Sequence, residues 1–216
     1  MRSLEIFKPI QSLLYIVIAS LVFANSVWAA ATPTPPDQLI TELFDTSTAK
    51  LKQEQAAIKA NPQRLVDIAD EIVAPYVSFE KMAKQILGKN WRNITPDQRT
   101  RFTEAFKARI SKVLVERYDA DKQWSLRLLG TKLSPNGKIA LVNSEITDLT
   151  VGKKYAISYR LFLDDKTNKW MAFDVIAEGV SVLTSFQTAV ADQMSKTGIE
   201  PIIRQLESGE LKVDSN

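Results

Sequence analysis

The sequence contains neither cysteine nor histidine among its 216 residues. Without cysteine the chain has no thiol nucleophile, no thiolate metal site and no disulfide, so its folded state depends on packing alone. Without histidine it lacks the usual general base at neutral pH and the commonest metal ligand in proteins. These two absences exclude serine–histidine and cysteine–histidine catalysis and leave carboxylates, lysines and tyrosines as candidate catalytic groups.

The familiar sequence signatures of catalysis and nucleotide binding are also missing. The chain has no G-x-S-x-G, no P-loop and no G-x-G-x-x-G. Asp174 and Glu178 share a face if the last predicted strand continues, but four strand residues separate them by about 13 Å. A glycosidase pair needs roughly 5–9.5 Å between its carboxyl groups. This pair therefore fits a glycosidase poorly, and the residues alone single out no catalytic residue, no metal site and no cofactor site.

Residues 1–31 have the pattern of a secretory signal peptide. Arg2 and Lys8 give a positive start, residues 13–24 are apolar, and small residues allow cleavage after Ala29 or Ala31. The apolar stretch covers about a dozen residues, whereas a membrane-spanning helix needs roughly 20. With no cysteine near the cut, a lipoprotein anchor is excluded. We predict that the protein is exported and released.

The rest of the chain has the size and composition of one domain. We predict a proline-rich linker over residues 32–36, a domain over 37–206 and a flexible tail over 207–216. Lysine and arginine exceed aspartate and glutamate by 28 to 25, giving a net charge of +3. An excess this small does not indicate a polyanion-binding protein.

The hydrophobic pattern predicts helices first, then strands, then helices again. Helical periodicity and capping residues predict four helices before residue 120: 37–60, one that begins after Asn61-Pro62, 79–87, and a long one from Thr95 to 118. Alternation then predicts four strands joined by short turns: 124–129, 138–146, 153–163 and 169–177. Two more helices follow, 181–195 and 201–206. Helices on one antiparallel sheet make an α+β fold.

A basic run occupies the middle of the helical part. Between Lys81 and Lys112 nine lysines and arginines face only Asp97 and Glu104, although the whole chain carries just +3. A solvated helix face accounts for such a run. The functional alternative is a surface for anionic lipid head groups or an acidic partner. For that surface the candidate residues are Lys84, Lys89, Arg92 and Arg99.

Two blocks of sequence resemble a known family. The first is Val77-Ser78-Phe79-Glu80-Lys81-Met82-Ala83-Lys84-Gln85-Ile86-Leu87-Gly88-Lys89-Asn90-Trp91-Arg92, followed by Thr95-Pro96-Asp97-Gln98-Arg99 and Arg101-Phe102. The second is Trp170-Met171-Ala172-Phe173-Asp174-Val175-Ile176-Ala177-Glu178-Gly179-Val180-Ser181. Both are similar to the MlaC family of toluene-tolerance proteins, and with the order of elements the resemblance covers about residues 37–206.

The resemblance implies a carrier of lipid in the periplasm rather than an enzyme. Members pack helices over a strongly curved antiparallel sheet and hold phospholipid acyl chains in an apolar cavity between the layers. Their partners are an ATP-binding-cassette complex in the inner membrane and a lipoprotein–porin complex in the outer membrane, and the pathway maintains outer-membrane lipid asymmetry. Ser185-Phe186-Gln187-Thr188 departs from the family's usual Asn-Tyr-Arg-Ser-like run, which puts in doubt any contact made there.

Periodicity alone does not distinguish a filled core from a hollow one, so the predicted lipid pocket combines the resemblance with strand alternation. We predict a single lining formed by Tyr155, Ile157, Tyr159, Leu161, Met171, Phe173 and Val175, with Phe102, Phe106, Ile110 and Phe186 opposite. The bound phospholipid would be cargo and not a cofactor. The competing hypothesis is an exported holdase chaperone for apolar segments, which an open apolar groove would favour.

Overall fold

The computed structural model describes residues 32–211 and 213. The predicted signal peptide and both of its predicted cleavage sites lie outside these residues. In the described part, Thr32 to Pro35 precede the first helix without regular structure, and Pro36 is already the first helical residue. The predicted linker therefore ends one residue earlier than expected.

Seven α-helices and two 3₁₀ turns make up the helical part of the described chain. The α-helices are α1 (Pro36–Gln53), α2 (Gln55–Ala60), α3 (Gln63–Ile72), α4 (Phe79–Leu87), α5 (Pro96–Arg117), α6 (Val182–Thr197) and α7 (Ile199–Ser208). The 3₁₀ turns are Ala74–Tyr76 and Gly88–Arg92. Thr95 caps α5 through the predicted capping box, because its hydroxyl accepts from Gln98 N–H and the Gln98 side chain accepts from Thr95 N–H.

One antiparallel sheet follows α5, with its strands in the order of the sequence. The strands are β1 (Trp124–Leu133), β2 (Ile139–Asp148), β3 (Lys153–Asp164), β4 (Lys169–Ala177) and β5 (Val180–Ser181). The predicted α+β class and antiparallel meander are confirmed, with five strands instead of four. The fifth has only two residues, too few to show an alternation in the sequence.

Several predicted boundaries differ from the structure, most clearly in the first and last helices and in β1, which extends to Leu133. The helix predicted over 37–60 is interrupted at Glu54, whose carboxylate binds Arg64 of α3 and Lys50. The last helix begins at Ile199 and not at Pro201, because Pro tolerates the first turn of a helix. That helix also continues to Ser208, and Leu211 beyond it is only 1 % exposed. Within the predicted flexible tail, Leu211 and Val213 pack against the helices, whereas Glu207, Ser208 and Glu210 are exposed.

The hydrophobic side chains form three clusters. The helical cluster joins α4, α5, α6 and α7 with Phe173 of β4. The sheet cluster joins the first turns of α1 to β2, β3 and β4. A smaller cluster of Ile58, Leu65 and Ile68 joins α2 to α3 and contacts the end of α5. No helix in the described residues combines the length and the apolar character needed to span a membrane.

Candidate functional site

The sheet has two different faces, and the pairing register defines them. Residues directly opposite in neighbouring strands point to the same side of a sheet. On the inner face, which carries α1, β2 and β3 pair through Ile146 with Tyr155, Ser144 with Ile157, Val142 with Tyr159, and Ala140 with Leu161. The outer face is polar there, with Arg127 and Lys154 both paired to Glu145. An apolar ligand would therefore meet the inner face.

Half of the inner face is covered by α1. Leu39, Ile40 and Leu43 of this helix pack on strand residues of the sheet cluster: Ala140, Val142, Tyr159, Leu161, Leu163, Trp170 and Ala172. We call this half the packed zone. Val142 and Leu161 are at most 1 % exposed. The side chain of Tyr159 lies at the edge of the packed zone. Burial raises the pKa of its phenol, and a hydrogen bond with Ser144 offsets only part of this rise.

The other half of the inner face has no such cover. It consists of Trp124, Ile146, Tyr155, Ile157 and Val175, which we call the open zone. All five side chains are half-buried, yet none belongs to or packs against a hydrophobic cluster of the described residues. The long helix α5 packs mainly on α7, α4 and α3. The open zone is therefore half-buried apolar surface that lies outside the hydrophobic clusters of the described residues.

A hollow of about 610 Å³ adjoins the open zone, and we call it the mouth. Its apolar lining comes from α1, the end of α5, β1 and the β2–β3 turn: Leu51, Tyr118, Trp124 and Leu149. Asp45, Lys52, Asp121 and Lys122 are among the polar residues around it. Trp124 belongs to both features, and its ring centroid lies 6.1 Å from that of Tyr155. The volume falls within the roughly 300–1,000 Å³ of ordinary ligand pockets.

The structure does not bring the eleven predicted pocket residues to one surface. Tyr155, Ile157 and Val175 lie in the open zone, whereas Tyr159 and Leu161 belong to the packed zone. The predicted opposite wall lies in the helical cluster: Phe102, Phe106, Phe186 and, half-buried at its side, Ile110. There the rings of Phe106 and Phe186 are 4.9 Å apart, and Phe102 and Phe106 are 0 % exposed. These phenylalanines fill a core.

A β-bulge moves two more of the predicted residues away from the inner face. The register between β3 and β4 shifts between Arg160 and Leu161, so Met171 lies opposite Phe162 whereas Val175 lies opposite Tyr159. Met171 and Val175 therefore point to opposite faces, although strict alternation gives them one face. Phe173, the extra residue, packs into the helical cluster beside Phe162. The sequence carries no glycine or proline in β4 that would have indicated this bulge.

The predicted basic residues gather around a second hollow, which we call the basic hollow. Its volume is about 710 Å³, and it is lined by Lys81, Lys84, Gln85, Gly88, Lys89, Trp91, Arg92 and Asn93. In the described part of the chain no carboxylate forms an ion pair with Lys84, Lys89 or Arg92, nor with Lys81. The charge excess of the basic run singled out Lys84, Lys89 and Arg92, whereas Lys81, a member of the same run, and Trp91 were not among the candidates.

Arg99 has a different role from the other three candidates. Its guanidinium donates a 2.9 Å hydrogen bond to the carbonyl of Trp91 and lies 5.5 Å from the indole ring. It lines a separate hollow of about 400 Å³ together with Glu80 and Glu104. Arg99 therefore holds the floor of the basic hollow in place and is not one of its open cations.

The carboxylates considered for catalysis do not form a pair. Asp174 was expected to be solvated but is 1 % exposed, and it caps α6 by accepting from Leu183 N–H at 3.0 Å and from the Ser181 hydroxyl at 2.7 Å. Glu178 instead accepts from the backbone N–H of Ala156. Across residues 32–211 and 213, no three acidic side chains converge as a metal site would require.

Comparison with known proteins gives a family match and two relatives of low identity. The family described as MlaC protein matches residues 41–208 of this chain. An intermembrane phospholipid transport system binding protein MlaC of Haemophilus influenzae is 19 % identical over 207 residues, which cover 96 % of this chain and 95 % of the relative.

A solved structure shares the fold. It is a phospholipid-binding protein from Ralstonia solanacearum in complex with a phospholipid, and it superimposes with a TM-score of 0.75 at 18 % identity. The superposition covers 82 % of this chain and 99 % of that chain. At this identity the likeness establishes the fold, and the site has to be argued from this chain's own residues.

Proposed function

Because this chain belongs to the MlaC protein family, we propose that it is a periplasmic phospholipid carrier and not an enzyme. It takes up phospholipid from one membrane system and delivers it to another, between an outer-membrane lipoprotein–porin complex and an inner-membrane ATP-binding-cassette complex, and so maintains outer-membrane lipid asymmetry. The observation that supports the proposal is the open zone, a half-buried apolar sheet surface outside the hydrophobic clusters of the described residues and joined to a hollow through Trp124.

The energetics of the cargo explain why such a surface is needed. Two acyl chains hold about 30 methylenes, and each costs about 0.8 kcal/mol to expose to water. Exposing both chains would cost on the order of 20 kcal/mol, so a carrier has to cover them almost completely. It also has to bind them no more tightly than the acceptor does, because preferential binding to the carrier would stop the transfer.

The open zone offers the acyl chains an apolar contact surface with few polar groups. We place the acyl chains against Tyr155, Ile157 and Val175, with Trp124 and Leu149 where the chains pass through the mouth. The head group then lies among the polar residues of the mouth, where Lys52 is an exposed cation. Nothing in this arrangement requires a bond to be broken, which fits the absence of histidine and cysteine.

The basic hollow serves docking in this proposal. Lys81 lies 4.2 Å from the ring of Phe162, on the face of the sheet opposite Ile157. The sheet thus separates the basic hollow from the open zone, which argues against Lys84, Lys89 and Arg92 as ligands of the carried lipid's phosphate. Four unpaired cations in a concave surface suit the acidic groups of a membrane-bound partner and would mainly raise the association rate.

Native mass spectrometry of the exported protein, purified without detergent, tests the function directly. We expect the folded protein to carry one diacyl phospholipid per chain, and solvent extraction with thin-layer chromatography should give near-stoichiometric lipid. A chain that carries no phospholipid under these conditions would refute the carrier. If the protein instead suppresses the aggregation of unfolded proteins while carrying no lipid, the holdase alternative is correct.

A further inference from the structure

The turn between β2 and β3 presents two aliphatic side chains to solvent. Leu149 is 55 % exposed and Val151 is 70 % exposed, the largest fraction among the exposed large hydrophobic residues of the described chain. Single exposed aliphatic residues are ordinary on protein surfaces. Two on one four-residue turn, next to the mouth of a proposed lipid site, call for a physical reason.

Hydrogen bonds and one ion pair fix the conformation of this turn. Asp148 is 0 % exposed, and its carboxylate accepts from Thr150 N–H at 2.9 Å and binds Lys122 at 3.1 Å. The backbone of Asp148 accepts from Gly152 N–H at 2.8 Å, and Leu149 N–H donates to Gln123 at 2.7 Å. Burial opposes the charge of Asp148, but hydrogen bonds from Lys122 and Thr150 outweigh it and hold the pKa of this carboxyl below its ordinary value.

Apolar surface runs without interruption from this turn to the open zone. Leu149 lines the mouth together with Trp124, and the Trp124 ring contacts that of Tyr155. Two lysines accompany these rings: Lys122 Nζ lies 5.6 Å from the Trp124 ring centroid, and Lys153 Nζ lies 4.9 Å from that of Tyr155. Lysines beside amphipathic aromatic rings are typical of protein surfaces at the head-group level of a membrane.

We propose that the Leu149–Gly152 turn inserts its two aliphatic side chains into the surface of a phospholipid bilayer and so places the mouth against the lipid. This inference rests on the proposed function and adds the place where the lipid crosses. A lipid leaving the open zone exposes methylenes at about 0.8 kcal/mol each unless the exit is sealed against an apolar phase. In this proposal the side chains of Leu149 and Val151 form that seal.

Charge contributes little to this contact. The mouth combines Lys52 and Lys122 with Asp45 and Asp121, and Lys122 is paired with Asp148. The turn should therefore bind vesicles of zwitterionic phosphatidylcholine, and its binding should change little with salt. These properties separate it from the basic hollow, whose interactions should weaken as salt rises.

The experiment compares two matched double variants of the exported protein. The first variant carries the substitutions Leu149→Ser and Val151→Ser in the turn. The second replaces Leu129→Ser and Leu133→Ser in β1, which are 52 % and 57 % exposed and do not line the mouth. We measure co-flotation with phosphatidylcholine vesicles and the transfer of a fluorescent phospholipid between donor and acceptor vesicles. The turn variant should lose vesicle binding and transfer by about tenfold or more, and the β1 variant by less than twofold.

A gain-of-function variant keeps the test independent of any loss of folding. Val151→Trp adds a residue that favours the membrane interface and should raise vesicle binding above wild type. The proposal is overturned if the wild-type protein does not bind phosphatidylcholine vesicles, if the turn variant binds like wild type, or if both serine variants lose binding equally. The proposal is also overturned if the turn variant binds vesicles like wild type but no longer transfers lipid to a membrane protein. That result would assign the turn to contact with a protein partner.

Measuring the bound phospholipid distinguishes a failure of the turn's proposed role from a failure of the proposed function. A wild-type protein that carries no phospholipid refutes the carrier and the turn's role together. A wild-type protein that carries phospholipid, with a turn variant that binds and transfers as wild type does, refutes the turn's role alone. Val151→Ser alone should retain its bound phospholipid, because Val151 lines neither the mouth nor the open zone.

Discussion

The packed zone and the open zone lie on the same face of the same strands and yet have opposite properties. Val142 and Leu161 are fully covered by the first turns of α1, whereas Tyr155 and Ile157, four to six residues from Leu161 along β3, remain half-buried. Composition does not separate them, since both zones are apolar. The difference lies in what packs on them, so on this sheet the position of α1 decides which apolar residues of the inner face join the sheet cluster.

The course of α1 explains why its cover stops. Leu39, Ile40 and Leu43 follow one another at helical spacing and all contact the sheet cluster. The next leucine of the helix, Leu51, packs instead against the cluster formed by α2 and α3. By its last turns α1 has therefore changed partner, and among the described residues no hydrophobic cluster joins a helix to Tyr155 or Ile157.

The largest expected effect comes from placing a charge in the open zone. Ile157→Asp should abolish the co-purified phospholipid, because an unpaired charge in an apolar site costs several kcal/mol, while the half-buried position lets the protein fold. Ile139→Asp is the matched control, since Ile139 lies opposite Phe162 on the outer face and is 37 % exposed. Native mass spectrometry of both variants measures the effect. An Ile157→Asp protein that folds and keeps its lipid would show that this zone is not the pocket.

The packed zone should respond in stability and not in lipid content. Leu161→Ala removes a side chain that is 1 % exposed and should lower the free energy of unfolding by about 3 kcal/mol. Urea denaturation measures the loss, with Leu133→Ala at an exposed position of β1 expected to change it by less than about 0.5 kcal/mol. If the Leu161→Ala protein loses its bound lipid at temperatures where it remains folded, the proposed distinction between the two zones is wrong.

The smallest expected effect concerns the basic hollow, which is lined mainly by cationic and polar residues, whereas both zones of the sheet are apolar. Replacing Lys84, Lys89 and Arg92 by Gln should leave the melting temperature almost unchanged and slow lipid transfer to inner-membrane vesicles, most strongly at low salt. A control triple of Lys132, Lys166 and Lys169 to Gln removes the same charge from exposed positions of the sheet and its turns. Equal transfer rates for wild type and the first variant across a salt series would reduce the basic run to a solvated surface.

Arg99 is left out of that triple variant because it acts on structure. Its hydrogen bond to the Trp91 carbonyl and its contact with the indole ring tie α5 to the 3₁₀ turn Gly88–Arg92. The spacing of the basic run could not reveal this, because a sequence shows that a cation is present and not which acceptor it meets. The gathering of Lys84, Lys89 and Arg92 around one hollow likewise depends on that 3₁₀ turn.

Local signals in the sequence determined most of the secondary structure. The Thr95–Gln98 capping box fixed the start of α5, Gly88 ended α4, and alternation located the four long strands, because each of these signals acts between residues that are neighbours in the chain. The assignment of faces held along β3, which is regular from Lys153 to Phe162 in its pairing with β2.

Only the tertiary structure decided which apolar residues belong to the core and which lie outside it. One extra residue in β4 turns Met171 away from Val175, because register depends on hydrogen bonds to a partner strand and not on the strand itself. Phe102, Phe106 and Phe186 have the same periodicity whether they fill a core or line a cavity, and it is the packing of α4, α6 and α7 around them that fills it. Burial depends on what other elements cover, so no pattern within one element could determine it.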